Sequence, residues 1–215
     1  MKEKLTRYGK PGAMLGGAMY IVAFVAAYLI YGMFAETTKN NFLGDHAFIH
    51  MIDTPMFVLL ALGAVGVFLS QKEYLGKIGK VGFGMTLFGF VLGIVGGAAI
   101  IAVGLAISDA ATMGILDMVA HFFSHILYAI GSLVFGFALW RKGTLPKLGA
   151  VLMAVGPIWL LAMFVGGFGE GGPFLLIAAP VAATGLGWLL LGHGLRATES
   201  SPAPKTAEPA HSPHG

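Results

Sequence analysis

Only 11% of the 215 residues are charged and 57% are hydrophobic, which excludes an ordinary soluble domain with about 25% charged residues and predicts contact with the lipid bilayer. The net charge of +3 comes from basic residues in short loops between apolar runs, a distribution that membrane topology explains and that gives no reason to expect nucleic-acid binding. The absence of cysteine excludes disulfides, thiolate metal sites and haem attached through cysteine.

Six apolar runs follow in chain order, most of them close to the 20 or so residues that a transmembrane helix needs. The first run follows a basic cytoplasmic segment, residues 1–12, and it is too long for the apolar part of a signal peptide, so we expect it to be retained. The chain is therefore predicted to be an all-α integral membrane protein. Its six-transmembrane-helix bundle covers residues 13–197, and a disordered cytoplasmic tail poor in apolar residues covers 198–215. The predicted spans are 13–35, 54–70, 81–107, 113–140, 148–168 and 173–194.

The start of the second span has two interpretations, because Pro55 lies close to it. As a helix, Pro55 to Ser70 would extend roughly 24 Å, which is short for a span. Either the helix begins earlier and includes His50, with Pro55 inside it, or Thr54 caps the helix and residues 43–53 form a separate interfacial helix.

The basic and acidic residues of the loops are predicted to lie on opposite sides of the membrane. Lysine and arginine mark the cytoplasmic side of a membrane protein. We therefore expect both termini to be cytoplasmic, in a multi-pass protein of the bacterial cytoplasmic (inner) membrane. The basic side holds Lys2, Lys4, Arg7, Lys10, Lys72, Lys77, Lys80, Arg141, Lys142, Lys147 and Arg196, with Glu73 among them, and the opposite side holds Glu36, Asp45, Asp53, Asp109, Asp117 and Glu170, with Lys39 as its only basic residue.

An internal similarity joins two of the basic loops. Gly66–Val81 resembles Gly136–Val151 at a constant offset, and the match predicts a parallel internal repeat of spans two–three and four–five, with its axis along the membrane normal. The identical pairs are Gly66 and Gly136, Leu69 and Leu139, Lys72 and Lys142, Leu75 and Leu145, Lys77 and Lys147, and Gly79 and Gly149.

Glycines recur at helical spacing on the third span, at Gly89, Gly93 and Gly97. Small residues at this spacing let two helix backbones approach closely in lipid, so we expect this face to pack against another helix.

Two stretches combine histidine with aspartate. His46 and His50 precede Asp53 at the start of span two, and His121 and His125 follow Asp117 in span four. Within each stretch the two histidines are four residues apart, which places both on one face of a helix. Counted from the basic ends of their spans, His50 and His121 lie at nearly equal heights, roughly 30 Å away, with His125 roughly 6 Å deeper and level with Asp53 and Thr54.

This arrangement predicts a cofactor or metal site at the extracytoplasmic ends of spans two and four. Two histidines on facing helices suit axial ligation of haem b, and several histidines suit a non-haem transition metal such as zinc, iron or copper. Carboxylates would ligate the metal or orient the imidazoles. A polar helix mouth without any ligand explains the same residues. The haem ligands are predicted among His50, His121 and His125, and the metal ligands among His46, His50, Asp53, Asp117, His121 and His125.

Three functions fit these features. The first is a redox or electron-transfer membrane protein with a haem or metal site. The second is a non-catalytic accessory subunit that packs against other membrane subunits through its glycine-rich faces. The third, and weakest, is a small-solute transporter built on the repeat, because transporters keep polar groups near the membrane midplane and the sequence shows few there. No motif assigns an enzymatic reaction.

Overall fold

A computed structural model of the chain describes residues 2–34, 42–106, 115, 122–156, 158 and 174–199. No strand occurs within these ranges, and four helical stretches are long and apolar enough to cross a bilayer, namely His50–Gln71, Lys77–Val103, Phe123–Lys142 and Ala178–Leu195. These helices confirm the prediction of a helical, multi-pass membrane protein, whereas the number of six spans stays a prediction. The described helices are α1 (Lys2–Phe34), α2 (Phe42–Gln71), α3 (Lys77–Ala106), α4 (Phe123–Lys142), α5 (Lys147–Val155) and α6 (Phe174–Glu199).

Large apolar side chains cover the outside of the bundle. Soluble monomers rarely expose continuous apolar surface of this kind, whereas lipid-facing helices do so as a rule, so this surface is the one in contact with the bilayer. Examples from four helices are Val22, Val58, Leu62, Phe88, Val91, Val95, Ile130, Leu133 and Phe137.

Helix α2 starts well before its apolar run. It is continuous from Phe42 to Gln71 with Pro55 inside it, so the first interpretation of the Pro55 region is confirmed and His50 belongs to the spanning helix. Helix α1 likewise begins at Lys2 and contains Pro11, which places helix within the segment that the sequence assigned to a cytoplasmic N-terminus.

Neighbouring helices are antiparallel, and glycines set their spacing. Gly9 at the start of α1 lies against Gly66 near the end of α2, and a Cβ on Gly63 would lie only 2.6 Å from Ala13 Cα. A Cβ on Gly192, near the end of α6, would lie 2.8 Å from Met14 Cγ. The starts of α1 and α3 therefore lie with the ends of α2, α4 and α6. We call this the basic end, because the lysines and arginines of the described helices and turns lie there, and we call the other the acidic end.

The glycines of helix α3 pack against two different helices of the chain. A Cβ on Gly89 would lie 2.6 Å from the backbone nitrogen of Tyr128 on α4, whereas one on Gly93 would lie 2.9 Å from the Phe57 ring on α2. Gly97 lies against Thr54 of α2. The predicted glycine packing face is confirmed, and it holds α2 and α4 against the same side of α3.

The turns at the basic end are joined by hydrogen bonds. Thr144 N donates to Gln71 Oε1 at 2.7 Å, and Gln71 Nε2 donates to Thr144 Oγ1 at 3.0 Å. The Gln71 side chain is fully buried, and the backbone carbonyl of Gln71 accepts from Tyr74 N at 2.9 Å. One side chain thus ties the α2–α3 turn to the α4–α5 turn. We call this pair of residues the Gln71–Thr144 clamp.

The two segments of the internal similarity form these two turns. Their matching leucines, Leu75 and Leu145, are both buried. The flanking glycines differ in surroundings, since Gly66 packs on α1 whereas Gly136 packs on Ala150 and Ala154 of α5. Superposition of the two hairpins stays a prediction.

Candidate functional site

Among the predicted site residues whose side chains the structure describes, His50 on α2 is the least exposed to solvent. Its side chain is 2% exposed, and it lies beside α3 at Gly97, where a Cβ would be 3.8 Å from His50 Nδ1. Thr54, one turn further along α2, fills the space that a side chain at Gly97 would need. The missing side chain of Gly97 therefore lets this part of α2 lie directly on the backbone of α3.

His125 lies in the first turn of α4 and is half-buried. Its ring packs edge-on against Phe57 of α2, with ring centroids 5.7 Å apart, and its Nδ1 lies 3.4 Å from Ser124 Oγ. His125 therefore reaches across to α2 at a point one turn beyond the level of Asp53.

The two histidines lie on the same side of α3, His50 through Gly97 and His125 through Phe57, which packs on Gly93. His50 and Phe57 are seven residues apart, so they share one face of α2 and are separated by roughly 10 Å along it. His125 consequently lies deeper in the bundle than His50, against Phe57 and about one turn beyond the level of Asp53 and Thr54 that the sequence predicts.

The remaining predicted site residues are only partly within the described structure. Asp53 is half-buried on α2. His46 lies in α2 but its side chain is outside the described residues, and Asp117 and His121 lie outside them altogether. Within the described side chains, no three histidine or carboxylate groups lie close enough to hold a metal ion. The pairing of His50 with His121 stays a prediction.

Four hydroxyl residues inside the described helices hydrogen-bond to their own helices. Each one donates to a carbonyl three or four residues earlier, which satisfies the hydroxyl without any ligand or second helix. The bonds are Ser70 Oγ to Val67 O at 2.8 Å, Thr86 Oγ1 to Gly82 O at 2.9 Å, Ser132 Oγ to Ala129 O at 3.1 Å and Thr184 Oγ1 to Pro180 O at 2.9 Å.

A second set of polar side chains, which the sequence patterns did not indicate, lies at the centre of the bundle. Tyr128 of α4 and Trp188 of α6 are buried, and neither Tyr128 Oη nor Trp188 Nε1 makes a well-formed hydrogen bond to a described group. The Tyr128 hydroxyl lies near Trp188, Tyr20 and Thr184. Phe90 of α3 packs against both rings, with centroids 4.8 Å from Tyr128 and 6.0 Å from Trp188. We call Tyr20, Tyr128, Thr184 and Trp188 the central cluster.

The central cluster lies near the middle of the membrane. Counted along the helices from Lys10, Arg196 and Arg141, the residues Tyr20, Trp188 and Tyr128 lie roughly 15, 12 and 20 Å from the basic end. The apolar core of a bilayer is about 30 Å thick. Hydropathy does not reveal this cluster because it counts tyrosine and tryptophan as apolar, although each carries a polar atom that usually needs a partner when buried.

Comparison with known proteins gives the chain no relative. No protein-family model, no curated protein and no solved structure matches it. The case for function therefore comes from the residues of the chain and their geometry.

Proposed function

We propose that this protein binds haem b or a non-haem transition metal at the acidic end of its bundle, between α2 and α4, and uses it in electron transfer. His50, His121 and His125 would be the ligands of a haem. His46, Asp53 and Asp117 would join them around a metal ion or orient their imidazoles. The bound group would supply the redox chemistry, and the protein would supply ligands, orientation and a site shielded by lipid.

The observation that supports this proposal most is the burial of His50 on α2, the helix that His125 of α4 contacts through Phe57. Neutral imidazole is the commonest metal ligand among side chains. His125 lies against the same part of α2 through Phe57. His121 precedes His125 by four residues, so continued helix would put it on the same face, nearer the level of His50.

We also propose six spans with both termini cytoplasmic, in the cytoplasmic (inner) membrane. Support comes from the antiparallel packing of neighbouring helices and from the collection of lysines and arginines at one end of the bundle. Basic residues are retained on the cytoplasmic side during insertion. The acidic end, with the histidines, would then face away from the cytoplasm.

The direct test is spectroscopy and elemental analysis of the purified full-length protein. With haem bound, we expect a Soret band that shifts on reduction and that His50→Ala and His121→Ala each abolish. With a non-haem metal, we expect near-stoichiometric metal without that band, released by the same substitutions. Asp117→Asn should weaken metal affinity by roughly 10–100-fold if the carboxylate orients a ligand.

His193→Ala is the matched control. His193 is exposed near the basic end of α6, so its loss should leave spectrum and metal content unchanged. A natural protein with neither Soret band nor bound metal, from cells supplied with haem and trace metals, would overturn the proposal.

A second candidate function, small-solute transport, is favoured by the central cluster. Buried donors near the midplane are typical of substrate sites in transporters, and Tyr128 Oη and Trp188 Nε1 are two such groups. We would screen small polar solutes for stabilisation of the purified protein against heat. A solute that stabilises the natural protein and not Tyr128→Phe would support transport, and failure of all solutes would count against it.

The accessory-subunit interpretation stays a prediction, and the described glycines show which of their faces are already packed within the chain. Most glycines whose surroundings the structure describes pack against other helices of the same chain, as Gly9, Gly17 and Gly187 do. Gly84 is the described exception, with nothing within 4 Å of its Cβ position. Among the described glycines, a single open position forms no glycine-rich docking face.

A further inference from the structure

The Gln71–Thr144 clamp brings two basic turns together. The two turns and the helix ends beside them hold six basic residues and one acidic residue, Glu73. We call the six the basic patch: Lys72, Lys77, Lys80, Arg141, Lys142 and Lys147.

A lysine at the end of α4 reaches the α2–α3 turn. Lys142, at the end of α4, extends over the α2–α3 turn, where its Nζ lies 3.7 Å from the Cβ position of Gly76. Lys147 Nζ donates to Trp140 O at 2.7 Å, which places its ammonium at the end of α4. Positive charge from both turns therefore meets at one place on the surface.

Exposed apolar surface lies directly beside this charge. Ile78 and Val81 on the first turns of α3 are 72% and 60% exposed, and Leu148 on α5 is 62% exposed. Trp140 and Tyr74 are also exposed here, and such aromatic side chains favour the headgroup level of a membrane. The patch thus lies at the boundary between lipid tails and water.

We propose that the basic patch is a binding site for an anionic phospholipid. The phosphate of the headgroup would lie between the ammonium groups of Lys77 and Lys142, and the acyl chains would run along the apolar surface of α3 and α4. Basic pockets between transmembrane helices are known to hold anionic headgroups. An acidic protein or a soluble anion would match the charge alone, whereas a lipid matches both the charge and the adjoining apolar surface.

The test is native mass spectrometry of the full-length protein from mixed micelles with equal amounts of phosphatidylglycerol and phosphatidylcholine. We expect the natural protein to retain phosphatidylglycerol in preference. Each lysine near an anionic surface contributes a factor of about five in affinity, so Lys77→Gln with Lys142→Gln should weaken retention of phosphatidylglycerol by about 25-fold. Retention of phosphatidylcholine should not change.

The matched control is Arg7→Gln with Lys10→Gln on α1. It removes two positive charges from the same end of the bundle but outside the basic patch. It should leave phosphatidylglycerol retention within about twofold of the natural protein, since binding depends on proximity to the headgroup. Equal losses in the two double variants would overturn the proposal, because general attraction to the basic end would then explain the preference.

Two further measurements complete the test. Thr144→Val changes no charge but removes a hydroxyl of the clamp, so it should weaken phosphatidylglycerol retention by up to about fivefold, as loss of one positioning hydrogen bond implies. Inorganic phosphate in excess should not displace the bound lipid. Displacement by phosphate would overturn the proposal, since the patch would then be a site for soluble anions.

Discussion

Phe57 of α2 and His125 of α4 pack edge to face, with ring centroids 5.7 Å apart and ring planes at 73°. Phe57 also lies 6.0 Å from Phe90 of α3. The ring is therefore shared by three helices at the depth of His125, and it connects His125 to Phe90, which packs on Tyr128 and Trp188 of the central cluster.

Removal of the Phe57 ring should destabilise the bundle. Phe57→Ala would leave a cavity between three helices, and such changes cost about 3–5 kcal/mol in the free energy of unfolding. Phe88 is 59% exposed on the lipid side of α3, so Phe88→Ala is the control and should cost far less. Thermal unfolding in detergent would compare the two, and equal losses would show that Phe57 is not a packed core residue.

Two glycines of α3 should respond oppositely to alanine. A Cβ on Gly82 would lie 2.6 Å from the backbone nitrogen of Phe135, whereas nothing lies within 4 Å of the Cβ position of Gly84. We expect Gly82→Ala to lower the free energy of unfolding by about 1–3 kcal/mol through overpacking. Gly84→Ala should leave it unchanged or raise it slightly. The prediction fails if both variants unfold at the temperature of the natural protein.

The close contact of α2 and α3 at the acidic end can be tested by a double-mutant cycle. Gly97→Ala should destabilise the protein because its methyl group would overlap Thr54 Oγ1. Thr54→Ala removes that oxygen, so the double variant should recover part of the loss. A coupling of about 0.5–3 kcal/mol is typical of residues in contact, and strict additivity of the two changes would contradict the contact.

In the central cluster, removal of a buried hydroxyl is expected not to lower the free energy of unfolding. Tyr128 Oη is buried without a well-formed hydrogen bond to a described group, and burial of such a group costs free energy. Tyr128→Phe should therefore leave the free energy of unfolding unchanged or raise it by about 1 kcal/mol. The exposed Tyr74 provides the control, Tyr74→Phe, which should have no effect. A clear loss of stability in Tyr128→Phe alone would reveal a partner for the hydroxyl.

Topology can be mapped with reporter fusions along the chain. Fusions at Asn40, Ala110 and Gly171 should report the extracytoplasmic side, because the acidic loops lie there in the six-span arrangement. Fusions at Glu73, Gly143 and Thr206 should report the cytoplasm. An extracytoplasmic signal at Gly143 would contradict the six-span arrangement.

The sequence predicts the helical membrane class well but places helix ends poorly. Apolar runs mark the part of a helix that meets lipid tails, whereas a helix continues into the headgroups wherever its backbone bonds can form. This is why α2 extends back from Pro55 to Phe42 and why α1 begins at Lys2. Because α2 extends in this way, His50 lies on a spanning helix and not on a separate interfacial helix.

Partners across the bundle are harder to predict than helices. Gly89, Gly93 and Gly97 form one face by their spacing, but only the structure shows that α4 meets one of them and α2 the other two. The pairing of Tyr128 with Trp188 depends on contacts among three helices, and hydropathy treats both residues as apolar. A single sequence contains no record of such long-range contacts.

The Gln71–Thr144 clamp also determines where α2 and α4 can move. With the two helices joined at the basic end, any change in the angle between them pivots there, and the displacement grows along their length. His50 lies roughly 30 Å from Gln71, so a tilt of only 5° would move it by about 3 Å, more than the length of a metal–nitrogen bond. Opening and closing of the bundle would therefore displace the histidines more than the residues near the clamp.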